Sequence, residues 1–156
     1  MGLSLDVHSP MTGTVVALHA VSDPVFNAGL VGPGIAVAPH AVMGAAVTAP
    51  IAGTVLQAMP HAFIIAGDDG RAVLTHLGID TVELQGDGFT LHVAVGDRVE
   101  AGQLVTEWNP AAVAATGRST LSPVIALDTP ADLLVDTLAP SASVTAGSCL
   151  FRVLDS

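Results

Sequence analysis

Apolar and polar residues alternate in short runs along this chain, and Gly, Pro, Asn or Asp closes nearly every run. Runs rich in β-favouring residues fall at 14–18, 34–38, 53–56, 62–66, 72–76, 91–95 and 103–107, with two more at 119–125 and 149–153. Strands of that length at that spacing predict an all-β fold, an antiparallel β-sandwich or barrel. A helical signal is clean in one place. Asn109 stands as cap, Pro110 at the first helical position, then AAVAAT closed by Gly117, which predicts one short helix near 110–116. A second turn of helix is predicted to start at Asp23 and Pro24 and end near Gly29.

Two strings recur. SPMTGTV (Ser9 to Val15) resembles APIAGTV (Ala49 to Val55), and VGDRVEAGQLV (Val95 to Val105) resembles PSASVTAGSCL (Pro140 to Leu150). Each pair is a strand-turn-strand unit used twice, so the sandwich is predicted to carry an internal pseudo-repeat whose halves bury each other's apolar faces. The 156 residues fit a single domain, 1–156, with a full core.

Charge narrows the partners. The formal net charge is −10, and the four basic residues are all arginines, Arg71, Arg98, Arg118 and Arg152. Nucleic acids and anionic membranes are bound by clustered Lys and Arg, which this chain lacks, so neither is an expected partner. From Ala28 to Gly67 no Asp, Glu, Lys or Arg occurs, but Pro33, Pro39, Pro50 and Pro60 interrupt the stretch. It therefore reads as buried strands and not as a membrane-spanning helix. MGLSLDVHSP lacks a basic region followed by an apolar block, so no secretion signal is expected. Cys149 is the lone cysteine, which excludes an internal disulfide and fits a reducing, cytoplasmic setting.

Candidate chemistry centres on HAFIIAGDDGRAVLTH, His61 to His76, where two apolar runs flank AGDDGR as in a β-hairpin. A turn centred between Asp68 and Asp69 makes His61 and His76 direct cross-strand neighbours, with Cβ atoms about 5 Å apart. A three-residue loop instead puts the rings on opposite faces. With the first register, Leu74 and Phe63 share the histidines' face. An apolar setting favours neutral imidazole, the form that can accept a phosphoryl group. Two imidazoles buried there without a role would be unfavourable. The remaining histidines, His8, His19, His40 and His92, are expected to be ordinary core or surface residues.

HLGIDTVELQGDGF, from His76 to Phe89, resembles the phosphorylation-site signature of the glucose-type IIA phosphocarriers of the bacterial sugar phosphotransferase system. PHAF (Pro60 to Phe63) resembles the segment with that family's second active-site histidine, and SDPVFNAGLVGPGIAV (Ser22 to Val37) resembles its docking stretch. VGDRVEAGQLV and STLSPV also have counterparts. The resemblance implies that His76 accepts a phosphoryl group on Nε2 from the histidine-containing phosphocarrier protein and passes it to a cysteine on a transporter's IIB domain. It implies that His61 assists, and that Asp23, Phe26, Leu30, Val31, Leu74, Asp80 and Val82 surround the site or contact partners. No cofactor is implied beyond the transient phosphoryl group, and no resident metal. Two positions depart from the family pattern: Met59 replaces a threonine that usually bonds the second histidine, and Gln57 replaces a phenylalanine of the apolar ring.

Three other functions compete. GDRVEAGQ resembles the turn of swinging-arm carrier domains, but those need a lysine to modify and this chain has none. His76 and Asp80 match the HxxxD pair of lysostaphin-type zinc metallopeptidases, yet a later HxH pair is missing, because Ala94 follows His92 at that spacing. A β-domain that binds a partner without chemistry would leave the facing imidazoles unexplained.

Overall fold

A computed structural model describes residues 4–27 and 31–155. In chain order the strands of the first half are β1 (Leu5–His8), β2 (Gly13–Ala17), β3 (Gly34–Pro39), β4 (Ala45–Thr48), β5 (Gly53–Met59), β6 (Ala62–Ala66) and β7 (Ala72–His76). Those of the second half are β8 (Phe89–Leu91), β9 (Arg98–Val99), β10 (Leu104–Trp108), β11 (Ser122–Ala126), β12 (Leu134–Val135), β13 (Ser143–Val144) and β14 (Cys149–Val153). Two short α-helices, α1 (Pro24–Asn27) and α2 (Pro110–Ala115), join them. The Asn109 side chain accepts the Ala112 N–H at 2.9 Å, so α2 begins on the predicted cap. α1 occupies the start of the predicted second helical turn, whose end at Gly29 lies outside the described residues.

Among the described residues the strands form an eight-stranded sheet, β13-β2-β3-β11-β7-β6-β5-β9, and two three-stranded sheets, β1-β14-β12 and β4-β10-β8. All pairings are antiparallel. The main core draws Val15, Phe63 and Val73 from the large sheet and Val7, Val105 and Phe151 from the small ones, so it is the layer between them. The fold is thus an antiparallel β-sandwich.

The recurrent strings occupy equivalent places. Ser9 N–H donates to Ser148 O and Ser9 O accepts the Gly147 N–H; Ala49 does the same with Gln103 O and the Gly102 N–H. Gly13 pairs with Val144 and Gly53 with Val99. The small sheets repeat the relation, Leu5 opposite Val153 and Ala45 opposite Trp108. The halves cross where His8 N–H donates to Pro50 O at 2.9 Å and Thr48 N–H to Pro10 O at 2.8 Å. At both repeated glycines the neighbouring strand passes so close that a Cβ would sit about 2 Å from a carbonyl oxygen, Ala38 O beside Gly13 and Ala66 O beside Gly53. Sequence similarity at these strings therefore reflects a steric need met twice.

Two expected strands change. The run at 91–95 forms a strand only over Phe89–Leu91, because residues 94–97 fold into a turn in which Ala94 N–H donates to the Asp97 carboxylate at 2.9 Å. The run at 119–125 starts its strand at Ser122, because Ser119 O is engaged instead by Ile79 N–H at 2.9 Å.

Candidate functional site

β6 and β7 form the expected hairpin, but in a different register. Ala62, not His61, lies opposite His76, and Phe63 lies opposite Thr75. The ladder closes at Ala66 and Ala72 around a five-residue loop, 67–71, centred on Asp69. There the Asp69 carboxylate accepts Arg71 N–H at 2.9 Å, and its bonds to Arg71 hold it below the usual carboxylate pKa. Phe63 consequently faces the core at 1% exposure and does not share the histidines' face. Leu74 does share the face of His76, as alternation requires.

Strict alternation in this register would send His61 toward the core, yet the two imidazole rings meet edge to face with centroids 5.2 Å apart. The reason is that His61 lies outside the strands. With Pro60 it forms the turn joining β5 to β6, where Met59 pairs with Ala62. A turn residue is released from the pleat, so its side chain can swing across the sheet edge. Its carbonyl accepts Leu77 N–H at 2.7 Å, which ties the turn to the end of β7. The exposed Met59 leaves this backbone tie and the ring contact with His76 to orient His61.

His76 is held more closely. Its Nδ1 lies 2.7 Å from the carbonyl of Gly78. A carbonyl only accepts, so Nδ1 carries the hydrogen and neutral His76 keeps its lone pair on Nε2. Gly78 has φ +78, and a Cβ there would come within 2.7 Å of Thr81 Cγ2 and 2.8 Å of Ser119 O. The carbonyl can reach the ring from this tight turn because the residue has no side chain. Thr81 Oγ1 donates to Leu77 O at 2.7 Å and closes the same turn.

The floor is a second apolar cluster, separate from the main core, built on Val21, Phe26, Ala36, Ile79 and Ile125 with Val31 and Leu74 packed against it. Phe26, from α1, places its ring 5.1 Å from that of His76. Burial lowers the pKa of His76, opposed by the Gly78 bond and the negative fields of Asp23 and Asp80. Burial and then the nearby His76 lower that of His61. Both rings are therefore biased toward the neutral form.

Of the remaining expected residues, Asp23 accepts Val25 N–H at 2.9 Å and starts α1. Asp80 and Val82 are exposed on the turn after His76, Val82 at 60%. Leu30 lies outside the described residues. Reasoning from the sequence missed Val21, Ile79 and Ile125 in the floor and Gly78 beneath His76. Only Gly78 had a visible signal, a glycine two residues past the end of a strand. His92 is elsewhere, against Glu107 at 2.8 Å beside β10. Among the described residues no three His, Cys, Asp or Glu side chains form a group able to hold a metal.

At the level of the fold, the chain is an antiparallel β-sandwich like the glucose permease IIA from Mycoplasma capricolum, with a TM-score of 0.87, 31% identity and 96% of each chain covered. Residues 5–131 match the family described as phosphoenolpyruvate-dependent sugar phosphotransferase system, EIIA 1, and the chain belongs to that family. It is accordingly a domain of the IIA class of the sugar phosphotransferase system. It is also 38% identical over 123 residues to the beta-glucoside-specific EIIBCA component of Bacillus subtilis (strain 168), a match over 79% of this chain. The aligned part is 20% of that longer relative.

Proposed function

We propose that this chain carries a phosphoryl group on Nε2 of His76, taking it from the histidine-containing phosphocarrier protein and giving it to a cysteine of a sugar permease's IIB domain. The observation that carries the proposal is the Nδ1–H bond to Gly78 O, which leaves Nε2 as the nucleophilic lone pair beside a second imidazole. The Nε2 lone pair attacks phosphorus while the donor's nitrogen departs with the electron pair of the breaking P–N bond. Such transfers need alignment and charge stabilisation more than covalent assistance. His61 is placed to hydrogen-bond a phosphoryl oxygen and to hold the group for the onward step.

Phe26, Val31, Leu74 and Val82 supply an apolar docking face, and Asp23 and Asp80 give its rim a negative field. Each arginine is already paired with a carboxylate: Arg71 with Asp69, Arg98 with Asp68, Arg118 with Glu83, Arg152 with Asp6 and Asp136. A partner of opposite charge around an apolar patch fits such a face. No helix among the described residues is long and apolar enough to cross a membrane. The proposed setting is the cytoplasm, where both exchange partners of a phosphorelay would meet the site.

Incubation with the general phosphotransferase proteins and phosphoenolpyruvate radiolabelled in its phosphoryl group tests this. Wild type is expected to take acid-labile label, His76→Gln none, and His61→Gln label that leaves slowly. Acid-stable label, or label retained by His76→Gln, contradicts the assignment.

A further inference from the structure

The segment from Arg118 to Ser122, which leads from α2 into β11, grips the turn after His76 at three points. Ile79 N–H donates to Ser119 O at 2.9 Å. Gly78 N–H donates to Ser122 Oγ at 3.4 Å, and that hydroxyl donates to Thr120 O at 3.0 Å. Arg118 Nε donates to Asp80 O at 3.2 Å, while the guanidinium reaches Glu83 Oε1 at 3.0 and 3.3 Å. One peptide is shared between this grip and the site. The Gly78–Ile79 peptide offers its C=O to His76 Nδ1 and its N–H to Ser119. Its orientation therefore decides whether the Nδ1–H bond exists.

The next residue is poised to disturb that peptide. Asp80 has φ 61 and ψ 18, a left-handed conformation, and its side chain makes no capping bond to the short 3₁₀ turn Thr81–Leu84. A non-glycine residue holds this conformation at an energetic cost. Relaxing it would rotate the backbone two residues after the carbonyl beneath His76. Arg118 is the side chain that holds the Asp80 carbonyl, and Glu83 fixes the planar guanidinium for that contact.

We infer that Arg118 is a positioning residue for phosphoryl transfer: by clamping Asp80 and Glu83 it keeps the Gly78 carbonyl under Nδ1 of His76, and so keeps Nε2 free and aimed outward. The inference rests on His76 being the phosphoryl acceptor. Its structural contribution is separable, because Arg118 and Glu83 are side chains on the surface, 26% and 62% exposed, and surface ion pairs add little to stability.

Ring ¹⁵N NMR of His76 in the unphosphorylated chain, initial rates of phosphoryl loading and thermal unfolding are to be compared for wild type, Arg118→Ala and Arg118→Lys. Arg118→Ala is expected to keep its fold, lose the uniform Nδ1–H tautomer and load about three- to tenfold more slowly, a range equal to about 0.7–1.4 kcal/mol in the barrier. Arg118→Lys is expected to recover part of both, since one ammonium cannot hold Asp80 O and Glu83 with a fork's geometry. An unchanged tautomer in Arg118→Ala overturns the inference, whatever the rate. If wild type takes no label on His76, the phosphocarrier proposal fails, while the tautomer comparison still decides the positioning claim. Should Arg118→Ala unfold, a wild-type tautomer and rate in folded Arg118→Lys overturns the positioning claim, and a partial loss of both supports it.

Discussion

The two faces of the β6–β7 hairpin show how one pair of strands can serve two purposes. Phe63, Ile65, Val73 and Thr75 point into the layer between the sheets, where each is at most 1% exposed. Ile64, Leu74 and His76 alternate with them on the other face, partly buried, and there His76 meets the ring of His61. The inner face makes the scaffold and the outer face presents the proposed phosphoryl acceptor, so neighbouring residues should fail in different ways. Phe63 and His76 are the sharpest contrast: both are aromatic and both lie on this hairpin, but Phe63 belongs to the main core while His76 packs against Phe26 of the second cluster.

The largest expected effect is His76→Gln, which removes phosphoryl transfer entirely in a labelling assay while changing unfolding free energy by less than about 1 kcal/mol, the scale of one hydrogen bond. Phe63→Ala should do the reverse. Deleting a fully buried ring costs about 3–5 kcal/mol by denaturant titration, while the protein that remains folded still takes label. Gly78→Ala joins the two faces, because its Cβ strains the turn and displaces the carbonyl under His76. A loss of about 1–3 kcal/mol together with slower loading is expected, and a loss of stability alone would separate the turn from the site. Asn109→Ala, far from the hairpin in sequence, should cost about 1 kcal/mol through the lost cap of α2 and leave loading unchanged.

The smallest effect is a pH dependence. Both His61 and His76 have pKa values lowered from the ordinary 6.5. Well above pH 6.5 both rings are neutral in folded and unfolded chains, and the stability tied to their neutral forms is fully present. As pH falls below 6.5 the unfolded chain binds protons first, so stability declines until the folded-state values are passed. Denaturation midpoints measured from pH 7.5 to 5 should fall for wild type and fall less for the His61→Gln, His76→Gln double variant.

Much of this division was legible in the residues. Period-two patterning found β6, β7 and β14 at their observed bounds, and cap chemistry found α2. The repeated strings located the pseudo-two-fold relation because the close backbone approach at Gly13 and Gly53 permits only glycine. Register was harder. AGDDGR allows turns of either parity, and the side-chain hydrogen bonds of Asp69 that select the five-residue loop depend on geometry the string does not encode. The proximity of His61 and His76 was expected for a cross-strand pair and arises from a turn residue leaning over the edge. The short strands β9 and β13 fall in the strand-turn-strand strings, while β12 was not expected, since two residues carry no period. The seat of the site was also hidden, because Gly78 and residues 118–122 lie some 40 positions apart and meet only through the sheet.

The most direct test of the account is ¹⁵N and ³¹P NMR of the chain phosphorylated in place, with its imidazole nitrogens labelled. The account predicts a single N–P linkage, at Nε2 of His76, with Nδ1 still bearing its hydrogen. A phosphoryl group found on Nδ1 of that ring, or on His61, would contradict it.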